Sequence, residues 1–175
     1  MKLALKILKY LVGLLVLLVA VAFLLPSTYS AQRSTTINAP AEKVFPLIAN
    51  QKEWKRWSVW NQRDPNMELS YSGPESAAGS KWAWKSKSEG NGGMEWSAVE
   101  ANKRVGYILT MEGMTPATGD LFVAPDGAGT KVTWTMKGDS GMNPMFRWFG
   151  LFMDKMIGPD FESGLKNLKK LAEAA

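Results

Sequence analysis

An amphipathic pattern with helical spacing occupies residues 141–175 and follows a long stretch patterned as β-strands. A single helix with one apolar stripe has to bury that stripe, so the preceding sheet must curve around it. Gly158 and Pro159 interrupt the pattern, and because proline removes a backbone donor, a kink or break is predicted there. The apolar positions of the stripe are Phe146, Phe149, Met153, Met156, Phe161, Leu165 and Leu168.

The apolar pattern has a period of two from Met67 onward, which predicts an antiparallel sheet with one apolar face. Turn signals divide this region into about six short strands. Residues 32–37 are predicted to form an earlier strand, residues 40–48 a short helix and residues 50–61 a second helical segment. The fold class is therefore α+β, with a curved antiparallel sheet wrapped around a long C-terminal helix.

The N-terminal region is apolar enough to enter a membrane. Residues 10–25 carry no charged side chain, and the apolar pattern extends back to Leu3 if Lys6 and Lys9 reach toward lipid headgroups. Residues 3–25 are then long enough to span a bilayer with some tilt. The predicted organisation is a cytoplasmic N-terminus and transmembrane helix over 1–26, a linker over 27–31 and one domain over 32–175.

Flanking charge predicts the orientation of this helix. Lys2 and two further lysines belong to its N-terminal part, and only Arg33 closely follows it, so the positive-inside rule places the N-terminus in the cytoplasm. The chain is thus predicted to be a single-pass inner-membrane protein with a periplasmic domain. A cleaved signal peptide is the alternative, because Thr28 and Ser30 are small residues that suit a cleavage site.

Composition excludes several kinds of chemistry. The chain has no cysteine and no histidine, which removes disulfides, thiol catalysis, the usual general base and the commonest metal ligands. The sequence has no metal-binding motif and no phosphate-binding glycine motif, so neither a metal nor a nucleotide cofactor is predicted. The net charge of +5 includes the three N-terminal lysines, and the remaining balance is too mild to predict nucleic-acid binding.

Tryptophan is frequent, with eight residues in the chain, of which seven lie between Trp54 and Trp134. Large apolar walls with few polar groups suit an acyl chain, an isoprenoid or a planar ring, whereas a small curved sheet also fills its core with aromatics. The methionines of the C-terminal region allow the same two interpretations. The residues predicted to bind a hydrophobic ligand are Trp57, Trp60, Tyr71, Trp82, Trp84, Trp96, Tyr107, Trp134, Phe149, Met153 and Met156.

Three of these tryptophans form a spaced segment, Trp54, Trp57 and Trp60, which places the indoles on one side of a helical turn. Lys55 and Arg56 lie among them. Tryptophan and basic residues favour the membrane interface, so the segment is either a membrane-facing gate or an ordinary packed cap on the sheet.

Candidates for catalysis are few. Tyr107 shares a strand face with Val105 and Leu109, so its hydroxyl is predicted to point inward, as a hydrogen-bond donor to a ligand more than as a catalyst. Glu95 alternates out of phase with Trp96 and is predicted to face solvent. The other carboxylates considered for a role in the cavity are Glu112 and Asp120.

The order of elements and several motifs resemble the helix-grip fold of the START-like or SRPBCC superfamily, in particular its polyketide cyclase/dehydrase and lipid-transport group. The resemblance extends over residues 32–172, and its most specific part is similar to membrane-tethered bacterial members. The motifs are INAPAEKVF at 37–45, WxxWxxW at 54–60, YSGPES at 71–76, GTKVTW at 129–134 and GLFMDKMIGPDFESGL at 150–165.

This resemblance implies a hydrophobic-ligand cavity between the sheet and the C-terminal helix, without a shared catalytic residue set. The preferred prediction is a membrane-anchored domain that binds a hydrophobic or lipid-like small molecule, for transport or sensing. Two alternatives stay open. One is a cyclase or hydrolase type of enzyme acting on an apolar substrate, and the other is a ligandless module that contacts another envelope protein.

Overall fold

The computed structural model describes residues 2–174, and a seven-stranded antiparallel sheet curved around a C-terminal helix dominates it. The strands are β1 (Thr28–Ile37), β2 (Glu68–Ser72), β3 (Lys81–Lys85), β4 (Gly92–Glu100), β5 (Arg104–Met111), β6 (Ala117–Asp126) and β7 (Gly129–Asp139). The helices are α1 (Lys2–Ala22), α2 (Ala41–Ala49), α3 (Trp54–Trp57), α4 (Val59–Arg63), α5 (Pro144–Gly150) and α6 (Met153–Glu173), with a short 3₁₀ turn over Gln51–Glu53. The α+β helix-grip prediction is confirmed.

The strands follow the order β1-β7-β6-β5-β4-β3-β2, so β2 through β7 form a meander of hairpins and β1 closes the edge beside β7. Alternation along each strand sends one set of side chains to the concave face. On β6, for example, Ala117, Gly119 and Leu121 are buried whereas Thr118 and Phe122 are exposed. The period of two in the sequence therefore identifies the buried face.

Three tryptophans complete the end of α2. The last carbonyls of a helix have no partner within the helix, and a buried end needs donors from elsewhere. The indole Nε1 of Trp54 donates to the Ile48 carbonyl at 2.8 Å, and the corresponding atom of Trp57 donates to the Leu47 carbonyl at 2.9 Å. Trp96 on β4 donates to the carbonyl of Ala49 at 2.7 Å. All three indoles are fully buried.

The C-terminal pattern breaks at a different place from the one predicted. Residues Leu151 and Phe152 separate α5 from α6, while α6 continues through Pro159. Gly158 has a packing role: a Cβ atom there would lie less than 3.0 Å from the Arg33 guanidinium. Arg33 crosses α6 at this point and pairs with Asp154 at 2.7 Å.

The first helix, α1, stands apart from the sheet. Its side chains are exposed except near its C-terminal end, where Ala22 is buried. By length and apolar composition α1 qualifies as a membrane-spanning helix, a property that signal sequences near an N-terminus share.

Candidate functional site

A cavity of about 300 Å³ lies between the concave face of the sheet and α6. Inward side chains of β3 to β7 form its floor, and α4 and the start of α6 close it. The lining residues are Tyr29, Ser58, Trp60, Asn61, Met67, Trp82, Trp84, Glu89, Met94, Tyr107, Leu109, Met111, Met114, Thr115, Ala117, Trp134, Met136, Met153, Met156, Ile157 and Phe161.

Aromatic side chains give the cavity a rigid wall. The rings of Trp134 and Phe161 stack with centroids 4.1 Å apart and planes tilted by 4°. Trp60 meets Trp134 edge to face at 5.7 Å, and Trp82 meets Trp84 in the same way at 5.6 Å. Such pairs stabilise each other beyond their buried area, so this wall keeps its shape when the cavity is empty.

Methionine side chains make up the adaptable part of the lining. Seven of the nine methionines within residues 2–174 line the cavity. Unbranched thioether side chains adjust to irregular apolar shapes at low cost, so the lining combines rigid aromatic rings with deformable side chains. The lining methionines are Met67, Met94, Met111, Met114, Met136, Met153 and Met156.

Most residues predicted from the sequence to bind a ligand lie at this cavity. The lining includes Trp60, Trp82, Trp84, Tyr107, Trp134, Met153 and Met156. The remaining four lie elsewhere. Trp57 and Trp96 belong to the core beside α2, Tyr71 lies on the outer strand β2 against Trp82, and Phe149 lines a smaller hollow beside α5.

Several residues that line the cavity were not among the ligand-binding residues predicted from the sequence. Leu109 and Met111 share the inward face of β5 with Tyr107, so the alternation carries a signal that identifies them. Met67 directly precedes β2 and begins its alternation, whereas Met114 lies outside the strands and helices, where neither period applies. Tyr29 precedes the segment predicted as the first strand, because β1 begins at Thr28 and not at residue 32.

Tyr107 is fixed by two hydrogen bonds. Its hydroxyl donates to the Thr135 carbonyl at 2.8 Å and accepts from Trp134 Nε1 at 3.1 Å. Burial raises the pKa of Tyr107 well above its ordinary value of 10.0. A neutral hydroxyl whose proton is already donated to the backbone is a poor general acid or base near pH 7.

The carboxylate in the cavity lining, Glu89, forms an ion pair. Glu89 pairs with Arg63 at 2.8 Å, and Arg63 pairs in turn with Asp160 of α6 at 2.8 Å. Trp60 Nε1 donates to the same Asp160 at 2.8 Å, which holds this indole at the edge of the cavity. These ion pairs and the Trp60 hydrogen bond lie at one end of the site and connect α4 to α6.

The other carboxylates considered in the sequence point away from the cavity. Glu95 pairs with Lys81 at 3.0 Å, as its alternation predicts, and Asp120 pairs with Arg104 at 2.7 Å. Glu112 accepts from Asn91 at 2.9 Å. Within residues 2–174, no three acidic side chains come together as a metal site would require.

Two buried polar atoms of the lining residues have no hydrogen-bond partner among residues 2–174. They are the hydroxyl oxygen of Ser58 and the indole Nε1 of Trp82. An unpaired buried donor costs about 1–3 kcal/mol relative to a paired one. Most of the remaining lining side chains are apolar, the exceptions being Asn61, Glu89, Thr115 and the tyrosine hydroxyls, so the site is suited to bind a largely apolar molecule.

Replacing Tyr107 by phenylalanine is expected to lower the free energy of unfolding by about 1–3 kcal/mol, since Trp134 Nε1 and the Thr135 carbonyl both lose a partner. Chemical denaturation of the full-length protein in detergent measures the change. Tyr71→Phe is the matched control, because Tyr71 is 37% exposed, and we expect it to stay within about 0.5 kcal/mol. An equal loss in both variants would contradict the structural role of the Tyr107 hydroxyl.

Alkaline pH is expected to destabilise the protein. Burial raises the folded-state pKa of Tyr107, and burial also raises the pKa of Tyr29 and Tyr71. A raised pKa stabilises the folded state fully below the unfolded pKa of about 10, and this stabilisation is lost as the pH rises toward the folded value. The denaturant concentration at the unfolding midpoint should therefore decrease as the pH is raised above about 10. A smaller fall in Tyr107→Phe is the expected control result, and an identical fall would overturn the assignment.

The sequence matches the family described as polyketide cyclase/dehydrase and lipid transport over residues 28–173. Three solved structures share the fold at low identity. A protein from Thermobifida fusca is 19% identical with a TM-score of 0.63, covering 82% of this chain and 92% of its own. Ara h 8.0201 is 9% identical with a TM-score of 0.61, covering 85% and 99%. A protein from Chromobacterium violaceum is 14% identical with a TM-score of 0.60, covering 82% and 96%. No curated protein sequence matches the chain significantly.

Proposed function

We propose, on the premise that the chain belongs to the polyketide cyclase/dehydrase and lipid-transport family, that its domain binds one hydrophobic or lipid-like small molecule between the sheet and α6. The observation that carries the proposal is the cavity itself, about 300 Å³ in volume and lined by aromatic and methionine side chains. Ligand pockets in proteins span roughly 300–1,000 Å³, so this volume favours a single chain or a small ring system.

The residues of the cavity favour binding over catalysis. Reactions on apolar substrates need a proton donor or acceptor held free beside the substrate. Here the Tyr107 hydroxyl donates to the backbone, and Glu89 is paired with Arg63. The Ser58 hydroxyl is unpaired, but within residues 2–174 it has no hydrogen-bonded base that could activate it. Carriage or sensing of the ligand is therefore the function that this site supports best.

We also propose that α1 is a retained membrane anchor with a cytoplasmic N-terminus and a periplasmic domain. Cleavage after Thr28 or Ser30 would fall inside β1, whose residues from Thr28 onward pair with β7. It would remove Tyr29, which lines the cavity, if the cut followed Ser30. The lysines before the apolar stretch support the orientation through the positive-inside rule.

Photolabelling tests the binding proposal. The full-length protein is placed in lipid nanodiscs, exposed to a fatty acid that carries a diazirine, illuminated and digested for mass spectrometry. We expect adducts on inward side chains such as Leu109, Met111 and Met136. The exposed residues Ile108 and Phe122 are the internal controls, because they are apolar and lie on the opposite face of β5 and β6. Equal labelling of the two faces would contradict a ligand in the cavity.

A further inference from the structure

The chain carries an exposed apolar surface around α5, which the cavity only partly explains. Between residues 140 and 153 the one charged side chain is Arg147. Met145 is 64% exposed, and Phe149, Leu151 and Phe152 are each about half exposed. We call Met142, Met145, Phe149, Leu151 and Phe152 the α5 surface. A contiguous exposed apolar patch on a folded domain marks a binding surface for another apolar phase.

Contacts between α5 and the end of α1 fix where this surface lies. Trp148 Nε1 donates to the Leu18 carbonyl of α1 at 3.2 Å. The neighbouring Arg147 donates from Nη1 to the carbonyls of Phe23 and Leu25, each at 3.2 Å, and its guanidinium lies 5.6 Å from the centre of the Phe23 ring. The helix α5 is thereby held beside the last turn of the apolar helix.

That position corresponds to a membrane interface. If α1 spans the bilayer, its last turn lies at the boundary between acyl chains and headgroups, and α5 lies at the same depth. Tryptophan and arginine favour this boundary, the former through its amphipathic ring and the latter by reaching toward headgroups. Short apolar segments can lie there with their exposed face about 5–10 Å into the boundary.

We propose that the α5 surface inserts into the leaflet in which α1 ends. The domain then lies against the membrane and is not connected to it by a flexible linker alone. A bilayer is a better occupant than a second protein because the surface continues directly from a helix that itself requires lipid contact. The tryptophan segment predicted as a membrane gate cannot take this role, since Trp54 and Trp57 are fully buried.

The same surface adjoins the cavity. Phe146 and Phe149 line a hollow of about 150 Å³ beside α5. The residues that line both this hollow and the main cavity are Tyr29, Met114, Thr115, Met153 and Met156. A lipid-like ligand could then pass from the acyl-chain region into the site without crossing water. This route depends on the proposed anchor and binding function, whereas insertion of the surface depends on the anchor alone.

The chain has no cysteine, so one introduced cysteine can be labelled at a single known position to test this proposal. Met145→Cys is labelled with the fluorophore NBD in the full-length protein, which is reconstituted in phosphatidylcholine–phosphatidylglycerol vesicles containing doxyl-labelled lipid. Leu14→Cys in α1 reports the anchor, and Ala128→Cys, exposed in the β6–β7 turn at the opposite end of the strands, is the control. We expect quenching at positions 14 and 145 to exceed that at position 128 several-fold.

Each other outcome overturns the proposal. Quenching at position 14 with none at position 145 would show an anchored domain whose α5 surface stays outside the lipid. Quenching at neither position would show that α1 itself is not in the bilayer. The measurement uses no ligand, so a failure here leaves the photolabelling result intact, and a failure of photolabelling leaves this result intact.

Discussion

Gly119→Ala is expected to lower the free energy of unfolding by more than about 3 kcal/mol. A Cβ atom at this position would lie less than 3.0 Å from the Thr135 carbonyl oxygen and from the ring and hydroxyl of Tyr107. Tyr107 lies across β6 at this glycine to reach Thr135, so no rotamer change relieves both contacts. The strand β6 would have to separate from β7, which breaks the pairing of two long strands inside the sheet.

Denaturant unfolding of the full-length protein in detergent, followed by tryptophan fluorescence, measures this effect. Thr118→Ala is the matched control, because Thr118 directly precedes Gly119 on β6 and faces solvent. Its change should not exceed about 1 kcal/mol, the span of strand preferences. A Gly119→Ala protein as stable as this control would show that Tyr107 does not lie across β6 as described.

Ala117→Phe is expected to abolish binding of the photoreactive fatty acid while the fold is retained. Ala117 lines the cavity from β6, and a benzyl group there would occupy a large share of the 300 Å³. The new side chain enters empty space, so the cost in stability should stay within the roughly 1–3 kcal/mol typical of overpacking. Labelling stoichiometry in nanodiscs measures the loss.

The matched control for this variant is Ala124→Phe, which makes the same change on the same strand. Ala124 is exposed on the opposite face of β6, so this variant should take up the fatty acid as the unmodified protein does. Undiminished labelling in Ala117→Phe, with a native circular dichroism spectrum, would place the ligand outside the cavity. A loss in both variants would point to a general effect on the sheet.

The sequence predicted the sheet well because its physical signal is local. The alternation along β5 to β7 identifies inward residues such as Tyr107 and Trp134, and the structure buries both. The alternation could not distinguish the tryptophans of the core from those of the cavity lining. Trp96 and Trp82 alternate inward in the same way, and only the position of α2 buries Trp96 against the Ala49 carbonyl.

In the C-terminal region the local sequence signal predicted the helix break at the wrong position. Proline predicts a helix break, yet Pro159 lies within α6. The true break at Leu151 and Phe152 follows Gly150, a weaker helix breaker than proline, and the apolar period continues across it. Because α5 is oriented by its contacts with α1, more than a hundred residues earlier in the chain, the sequence pattern alone could not place the α5 surface beside the end of α1.

The central claim is that one apolar molecule occupies the cavity, and the most direct measurement is native mass spectrometry of the full-length protein released from nanodiscs. The account predicts a protein peak with one added small apolar mass, which organic extraction recovers, and the absence of that mass from Ala117→Phe but not from Ala124→Phe. A protein that carries no such mass, or carries it equally in both variants, would contradict the claim.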